Sequence, residues 1–444
     1  MIPLSRIRDS FEGVIPSLIA TTDADGMPNV SYLSHVHYVD DHHVALSNQF
    51  FSKTAHNVAK NGLATVMVVN GLTGVQHMLD LVFDRSETDG ELFDKLSAHL
   101  AILEQGMASV MRLKAADIYR VTDCREVPAP HPLEVAPESD PPDLMAATSK
   151  LSRLLSQTGD TESLLDTTLD GLAHLFGVRH AMVLVPDESA RRMITIGSHG
   201  YDRFGFGAEV PIGEGIIGVS AATRQTVRIT DLSRGRRYAE AVRSMAGLSH
   251  ADSIPLPALS MPYSQIAVPL VAHGRLVGLL FAESEARFAF RHGHEQAFEI
   301  IAGQLAHALL LAEQERERPA PRPTTAAAPQ AAAMSAKIFR LRFYPRDGSL
   351  FLDDDYLIRG VPGRLLKYLI DEYLKSGKQE FLNREIRREG SLMLPDIKDN
   401  LETRLILLRR RLSEKAGPIR LVSTERGRVR LEIDGRPALE VVET

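Results

Sequence analysis

Alternating hydrophobic and polar positions dominate the first part of the chain. Residues 16–39 alternate in two runs on either side of Asp25-Gly26, which is the pattern of a β-hairpin. Further strand patterns cover residues 42–48, 62–69 and 116–127, and helical periodicity covers residues 52–61 and 87–106. Several short antiparallel strands with few helices predict a small β-barrel.

The middle of the chain changes to helical spacing and then to longer apolar strands. Apolar residues recur every three or four positions over residues 143–177 and again over residues 294–318. Between these helices lie strand-like runs, a Gly-rich turn into a helix at residues 210–231, and a hairpin turning at His273-Gly274. This order predicts an α+β domain with one antiparallel sheet and helices on one side.

The last hundred residues show short strands, then helical stretches, then a second hairpin. The helical stretches are residues 363–377, 382–389 and 394–417, and the hairpin covers residues 419–433. Strands, three helices and a β-hairpin in this order predict a winged helix.

Two proline-rich segments divide the chain into three domains. Residues 126–143 and 315–336 contain many prolines and few apolar side chains that could form a core. We therefore expect domains at residues 1–128, 143–316 and 337–444, with a Pro/Ala-rich linker at residues 317–336. The fold class is multidomain: a β barrel, an α+β domain and a winged helix.

The composition favours a cytoplasmic protein without a membrane segment. Among 444 residues there is one cysteine, Cys124, so an internal disulfide is excluded. The first residues lack the layout of a signal peptide, and apolar runs stay well short of the roughly 20 residues that span a bilayer.

Charge is distributed unevenly along the chain. The net charge is −6, but residues 337–444 carry 23 Lys+Arg against 18 Asp+Glu, a balance of +5, which leaves −11 for residues 1–336. A basic end on an acidic protein favours double-stranded DNA as a partner. A solvated basic face without a nucleic-acid partner remains the alternative.

The stretch "ATTDADGMPNVSYLSHVHYVDDHHVALSNQFFSKTAHNVAKNGLATVMVV" resembles the pyridoxamine-phosphate-oxidase-like FMN-binding split barrels. The resemblance implies an FMN cofactor whose phosphate is bound by Ser52, Lys53 and Thr54, with Ser34 and Ser47 as lesser contacts. Phosphate recognition needs a cation and hydroxyl or amide donors that converge. The alternative is a structural barrel without flavin. His35, His37, His42 and His43 have no partner at diagnostic spacing, so we expect neither a metal site nor haem.

The segments "IGEGIIGVSAATRQTVRITD" and "AVPLVAHGRLVGLLFAES" resemble GAF domains. Such domains bind small molecules or nothing, and they often dimerise through their end helices. We expect a pocket for an unknown small-molecule ligand beneath the long loop at residues 234–262, with a ligand-free GAF domain as the alternative. Leu305, Leu309 and Ala312 could form a dimer stalk or face the domain's own sheet, and we expect a homodimer.

Arginines are concentrated near the end of the chain, in "LETRLILLRRRL…IRLVSTERGRVRL", which resembles the DNA-binding domain of OmpR/PhoB-type response regulators. From Arg404 to Arg430 there are nine basic residues against two acidic ones. The resemblance implies groove contacts by Asn400, Arg404 and Arg409, phosphate contacts by Arg410 and Arg411, and wing contacts by Arg426 and Arg428.

These features favour a ligand- or redox-responsive one-component transcriptional regulator. The barrel and the GAF pocket would sense, and the winged helix would bind DNA. The alternatives are an FMN-dependent oxidoreductase with a regulatory GAF domain and a non-catalytic signalling scaffold. The sequence contains no convincing Ser-His-Asp, Cys-His or paired-carboxylate arrangement, so we expect no catalytic residues and, on balance, no enzyme.

Overall fold

The structure, a computed structural model, describes most of the chain. The described residues are 1–33, 35–48, 53–103, 113–128, 143–187, 190–232, 254–317, 338–392, 401–425 and 427–442. Residues 129–142 and 318–337, which contain most of the proline-rich break and of the predicted linker at residues 317–336, lie outside them.

A seven-stranded antiparallel sheet forms the N-terminal unit, in the order β2-β1-β5-β6-β7-β4-β3. The strands are β1 (Ser17–Thr22), β2 (Pro28–Leu33), β3 (Val36–Tyr38), β4 (His43–Asn48), β5 (Leu63–Val69), β6 (Gln76–Glu87) and β7 (Ala115–Val127). The helices are a 3₁₀ helix (Leu4–Phe11), α1 (Lys53–Asn61) and α2 (Glu91–Leu103).

The hairpin expected around Asp25-Gly26 is confirmed, because β1 and β2 pair antiparallel on either side of it. Gly26 has φ +79°, a conformation that glycine adopts without strain. Strand β6 was not predicted, although its inward residues His77, Leu79 and Leu81 alternate with less buried ones. It is the strand that joins the two halves of the sheet, so the barrel core depends on it.

The middle unit is built on a six-stranded antiparallel sheet in the order β10-β9-β8-β13-β12-β11. Its strands are β8 (His180–Asp187), β9 (Arg192–His199), β10 (Glu209–Pro211), β11 (Val227–Ile229), β12 (Ser264–Ala272) and β13 (Arg275–Ser284). The helices are α3 (Leu144–Gln157), α4 (Thr161–Phe176), α5 (Gly215–Thr223) and α6 (His292–Glu317).

Helices cover both faces of this sheet, so the prediction of helices on one side is wrong. Helices α3, α4 and α6 pack on one face around residues such as Val183 and Leu280. Helix α5 packs on the opposite face around Leu184 and Phe281, and Ala98 of the barrel's α2 joins the same cluster. The barrel therefore packs against the α5 face of the middle unit.

The expected dimer stripe on α6 serves the domain's own core. Leu305, Leu309 and Ala312 are 0%, 4% and 4% exposed and belong to the cluster that contains α3 and α4. Of the two alternatives left open by the sequence, the structure supports the second.

The C-terminal unit has strands, three helices and a hairpin in the predicted order. Its elements are β14 (Ile338–Tyr344), β15 (Ser349–Leu352), β16 (Asp355–Ile358), α7 (Val361–Ser376), β17 (Glu380–Leu382), α8 (Asn383–Arg387), α9 (Leu401–Lys415), β18 (Ile419–Glu425), β19 (Arg428–Ile433) and β20 (Arg436–Val441). The unpredicted strand β20 runs parallel to β14 and completes a four-stranded sheet.

Helix α9 packs against α4 and β9 of the middle unit. A single apolar cluster contains Phe206 of the middle unit together with Ile358 and Leu407 of the C-terminal unit. The two units thus share a continuous apolar contact. Within the described residues, no helix has the length and apolar character needed to cross a membrane.

Candidate functional site

The expected flavin-phosphate site lies at the start of α1, where an anion would meet both a cation and a helix N-terminus. The Lys53 ammonium lies 3.7 Å from the Asp23 carboxylate and is 55% exposed. The Thr54 hydroxyl accepts a hydrogen bond from the Asn29 amide at 2.9 Å. Lys53 and Thr54 are therefore adjacent and reachable, but a phosphate would have to compete with Asp23 for the ammonium.

Of the remaining residues expected to contact the flavin, the structure describes only Ser47. Ser47 lies in β4 opposite Ala116 of β7. Ser34 and Ser52 lie outside the described residues, as do Phe50 and Phe51.

A buried carboxylate marks the α5 face of the middle sheet, close to the long loop. Glu283 is 1% exposed, and it accepts hydrogen bonds from the backbone N–H of Leu259 at 2.7 Å and from Gln265 at 3.1 Å. Burial raises the pKa of Glu283. The Tyr201 ring lies 5.3 Å from the His180 ring at the same end of the sheet. These groups form a polar cluster next to Leu259, which belongs to the long loop beneath which the sequence predicts a ligand pocket.

The glycine-rich turn before α5 has a structural explanation. Gly213 and Gly215 have φ values of +98° and +61°. A Cβ on Gly218 would lie 2.2 Å from the Pro211 carbonyl oxygen. The three glycines are required by the tight turn itself, so they carry no argument for phosphate binding.

An ion-pair network joins the barrel to the middle unit. Arg228 of β11 donates to Glu12 after the 3₁₀ helix and to Glu295 of α6, the latter at 2.7 Å. Lys95 of α2 donates to the same Glu295 at 2.5 Å. The side chains of Arg228, Glu12 and Glu295 are 13%, 7% and 11% exposed. Sequence reasoning missed this network, because its members are up to 283 positions apart, from residue 12 to residue 295.

Three histidines line a cavity beside this network. His35 and His37 stack with ring centroids 4.0 Å apart, and His99 of α2 lies 4.7 Å from the first ring and 5.7 Å from the second. Burial holds the pKa of each of the three imidazoles below its ordinary value, that of His99 at about 4. The sequence identified His35 and His37 on one strand face, but nothing in it linked them to His99.

Helix α9 carries its arginines against other parts of the chain rather than into solvent. Arg404 and Arg411 are each 7% exposed. Arg404 lies 3.6 Å from Asp187 of β8, and Arg411 donates to the carbonyl of Leu357 at 2.9 Å. Buried guanidinium groups need such partners, because desolvation of an unpaired charge is costly. Contrary to the expectation, these two side chains are not available to a duplex in this conformation.

The next two arginines are held by carboxylates of α4. Arg409 pairs with Glu162. Arg410 donates to Asp166 at 2.6 Å and to the carbonyl of Ile196 at 3.0 Å. Their side chains are 17% and 11% exposed. Carboxylates of the middle unit thus bind the guanidinium groups for which the sequence predicted groove contact (Arg409) and phosphate contact (Arg410).

The hairpin of β18 and β19 is less completely described. Arg428 lies 3.3 Å from Glu380 of β17 and its side chain is 18% exposed. Asn400 and Arg426 lie outside the described residues.

Comparisons with known families agree with the first two domains. The family model for pyridoxamine 5'-phosphate oxidase matches residues 5–121, and the GAF domain model matches residues 160–309. A search of curated proteins found no match.

Three solved structures are similar to part of the chain. The GAF domain of an Acinetobacter phosphoenolpyruvate-protein phosphotransferase is 16% identical, with 38% of this chain and 94% of that chain covered and a TM-score of 0.32. Free methionine-R-sulfoxide reductase from Neisseria meningitidis is 20% identical, with 41% and 98% covered and a TM-score of 0.32. An FMN-binding protein from Syntrophomonas wolfei is 16% identical, with 29% and 90% covered and a TM-score of 0.25.

The first matched range contains β1 to β6 and part of β7, and the second contains the whole six-stranded sheet. Residues 5–121 are thus a pyridoxamine 5'-phosphate oxidase-type split barrel, and residues 160–309 are a GAF domain that follows it.

Proposed function

We propose that the chain is a signal-responsive regulator whose C-terminal unit binds double-stranded DNA when it leaves the GAF domain. The observation that carries this proposal is the pairing of Arg409 and Arg410 with Glu162 and Asp166. Carboxylates and DNA phosphates compete for the same guanidinium donors. The conformation in which α9 lies against the GAF domain, called docked below, is therefore the DNA-free state of the regulator.

The C-terminal unit is proposed to be a winged helix. Its element order and the hairpin of β18 and β19 support this, as does the positive φ of Gly427 at the hairpin turn, +73°. On release, Arg404 would lose its contact with Asp187, and Arg409 and Arg410 would lose their carboxylate partners on α4. Arg411 would stay in place, because its guanidinium is bound to the carbonyl of Leu357 within the same unit.

The part of the regulator that receives the signal is proposed to be the GAF pocket, the barrel, or both. The GAF pocket would take a small molecule above Glu283, whose carboxyl group is buried and hydrogen-bonded. The barrel would bind FMN through Lys53 and Thr54, a proposal supported by the match of residues 5–121 to an oxidase family. The alternatives are an FMN-dependent oxidoreductase with a regulatory GAF domain and a non-catalytic scaffold.

A homodimer is proposed through the barrel's exposed edge. Strand β2 is an edge strand, and its neighbouring apolar side chains Met27, Val30 and Tyr32 are 60%, 65% and 77% exposed. Apolar residues clustered on an exposed sheet edge invite pairing with another chain. Asn29 of the same strand contacts Thr54, so the dimer face would adjoin the flavin-phosphate site.

The proposal is tested by comparing duplex binding of the full chain and of Glu162→Gln/Asp166→Asn. Both would be titrated onto a labelled duplex from upstream of the coding sequence, with anisotropy measured at several salt concentrations. Because Glu162 and Asp166 are 35% and 58% exposed, their loss should weaken docking by only about 1–2 kcal/mol. We expect roughly 5- to 30-fold tighter, salt-dependent binding.

Asp170→Asn is the matched control, since Asp170 lies one turn further along α4 and contacts His199 instead of an arginine of α9. It should bind DNA as the parent does. If the double variant binds no more tightly than the parent, docking does not control DNA access. If neither binds, the scaffold alternative replaces the regulator.

A further inference from the structure

The boundary between the split barrel and the GAF domain encloses a polar cavity of about 100 Å³. Three cationic side chains line it, namely Arg8 of the 3₁₀ helix, Lys95 of α2 and Arg228 of β11. Two carboxylates, Glu12 and Glu295, line it as well. With its histidines neutral, the lining therefore carries one positive charge more than negative ones.

The Arg228 guanidinium has N–H groups that no described residue accepts. Its Nε donates to Glu295 at 2.7 Å, and its Nη1 donates to Glu12 and to the Phe290 carbonyl, the latter at 3.3 Å. Its Nη2, which carries two N–H groups, donates to none of the described residues. The side chain is only 13% exposed, and a cationic donor in such a place normally has an acceptor.

Arg8 is a cation without a carboxylate partner among the residues that the structure describes. Its guanidinium carbon lies over the Tyr38 ring, 4.3 Å from the ring centroid. Stacking of this kind occupies the face of the guanidinium and leaves the N–H groups at its edge for an oxyanion. Arg8 thus supplies the positive charge that Glu12 and Glu295 do not balance.

Lys95 adds a third set of donors and lies within reach of solvent. Its ammonium donates to Glu295 at 2.5 Å, which leaves two of its three N–H groups for another acceptor. The Lys95 side chain is 46% exposed, and Arg8 is half-buried. An anion in solution can therefore reach both cations.

We propose that this cavity binds a small oxyanion, such as phosphate or sulfate, between Arg8, Lys95 and Arg228. Hydrogen bonds from guanidinium and ammonium groups to an oxyanion are charge-assisted, which makes them roughly twice as strong as neutral ones. The three cations belong to both sensory domains. The anion would therefore connect the 3₁₀ helix and α2 of the barrel with β11 of the GAF domain.

The size and charge of the cavity decide the class of ligand. Its volume of about 100 Å³ is well below the roughly 300 Å³ at which pockets for drug-sized ligands begin, so a flavin ring or a nucleotide does not fit. A metal ion would be repelled by the three cations. A small oxyanion, comparable in volume with a few water molecules of about 30 Å³ each, meets both conditions.

The imidazoles of the lining lie in positive surroundings. Burial lowers the pKa of His37, and His99 and Lys95 lower it further. Burial also lowers the pKa of His35, and Arg228 is among the groups that add to this effect. Surroundings that disfavour a further positive charge favour a negative one.

The experiment uses the full chain, exchanged into a buffer free of phosphate and sulfate and titrated with inorganic phosphate by calorimetry. We expect saturable binding of one anion per chain and competition by sulfate, but not by chloride at the same ionic strength. Arg8→Gln and Lys95→Met should each weaken phosphate binding roughly 10- to 100-fold, because each removes one charge-assisted contact. Phosphate should raise the melting temperature of the parent more than that of either variant.

Two control variants separate this cavity from other places where phosphate could bind. Arg6→Gln changes an exposed arginine of the same 3₁₀ helix and should leave the affinity unchanged. Lys53→Ala removes the cation of the proposed flavin-phosphate site, which does not line this cavity, and should also leave it unchanged.

The proposal is overturned if the parent shows no saturable phosphate binding. It is also overturned if either Arg8→Gln or Lys95→Met, folded as judged by circular dichroism, keeps the parent's affinity. Loss of phosphate binding in Lys53→Ala would overturn it as well, since the anion would then bind at the start of α1.

Discussion

The substitution Arg228→Met should destabilise the junction between barrel and GAF domain more than other single changes of a charged residue. Methionine keeps the apolar stem but removes the guanidinium that binds Glu12 and Glu295. Two carboxylates that are 7% and 11% exposed are then left facing each other. Removing one partner of a buried pair typically costs about 3–5 kcal/mol. For units of this size, the melting temperature should fall by roughly 6–20 °C.

The loss of stability caused by Arg228→Met should depend on pH in a defined direction. Burial raises the pKa of Glu295, but Arg228 and Lys95 more than offset this and hold it at about 2, below the ordinary 4.5. A carboxyl group with a lowered pKa stabilises the fold above pH 4.5 and loses that contribution as the pH falls towards 2. The contribution is roughly 3 kcal/mol at neutral pH. Without Arg228 only Lys95 still opposes the effect of burial, so this contribution should be smaller in the variant and the difference in stability between parent and variant should narrow on acidification.

The assay is chemical denaturation of parent and variant at pH 7 and near pH 4, followed by circular dichroism. Arg85→Met is the matched control, since the Arg85 side chain is 53% exposed and its partners Asp84 and Glu87 are 44% and 31% exposed. Its cost should stay below about 1 kcal/mol. An Arg228→Met cost below about 1 kcal/mol at pH 7, or a gap that widens in acid, would refute this reasoning.

Three further changes test other parts of the molecule. Lys53→Ala should lower FMN affinity at least about tenfold, because it removes the cation of the proposed phosphate site. The affinity would be measured by flavin fluorescence quenching. Lys60→Ala, at the other end of α1, is the control and should leave FMN affinity unchanged. Gly218→Ala should destabilise the GAF domain by more than about 2 kcal/mol in thermal melts, since its Cβ would lie 2.2 Å from a carbonyl oxygen. Glu283→Gln should make the free energy of unfolding less dependent on pH. Burial raises the pKa of Glu283, so ionisation of this carboxyl group destabilises the folded state as the pH rises. An unchanged dependence of the unfolding free energy on pH would contradict this.

Local patterns in the sequence predicted most of the secondary structure. The hairpin at Asp25-Gly26 and the order of elements in the C-terminal unit follow from alternation and turn residues. Strand β6 was missed even though His77, Leu79 and Leu81 alternate with less buried positions. The strand is 12 residues long and is buried along only part of its length. Its polar residues therefore interrupt the alternating pattern by which a strand is predicted.

Contacts between domains could not be predicted in the same way. Nothing local distinguishes an arginine that binds DNA from one that binds a carboxylate, so Arg409 and Arg410 were assigned to DNA from their helix alone. Their partners Glu162 and Asp166 lie more than 240 positions earlier in the chain. Separations of 216 and 64 positions also made it impossible to predict the contacts of Arg228 with Glu12 and of His99 with His35.

The central claim is that α9 is docked on the GAF domain through its arginines, and a double-mutant cycle between Glu162 and Arg409 tests it most directly. Unfolding free energies would be measured for the parent, Glu162→Gln, Arg409→Met and the double variant. If α9 is docked in solution, the coupling energy between the two positions should be about 1–2 kcal/mol. Effects that add to within about 0.3 kcal/mol would show that the two side chains do not interact in solution, and would contradict the docked state.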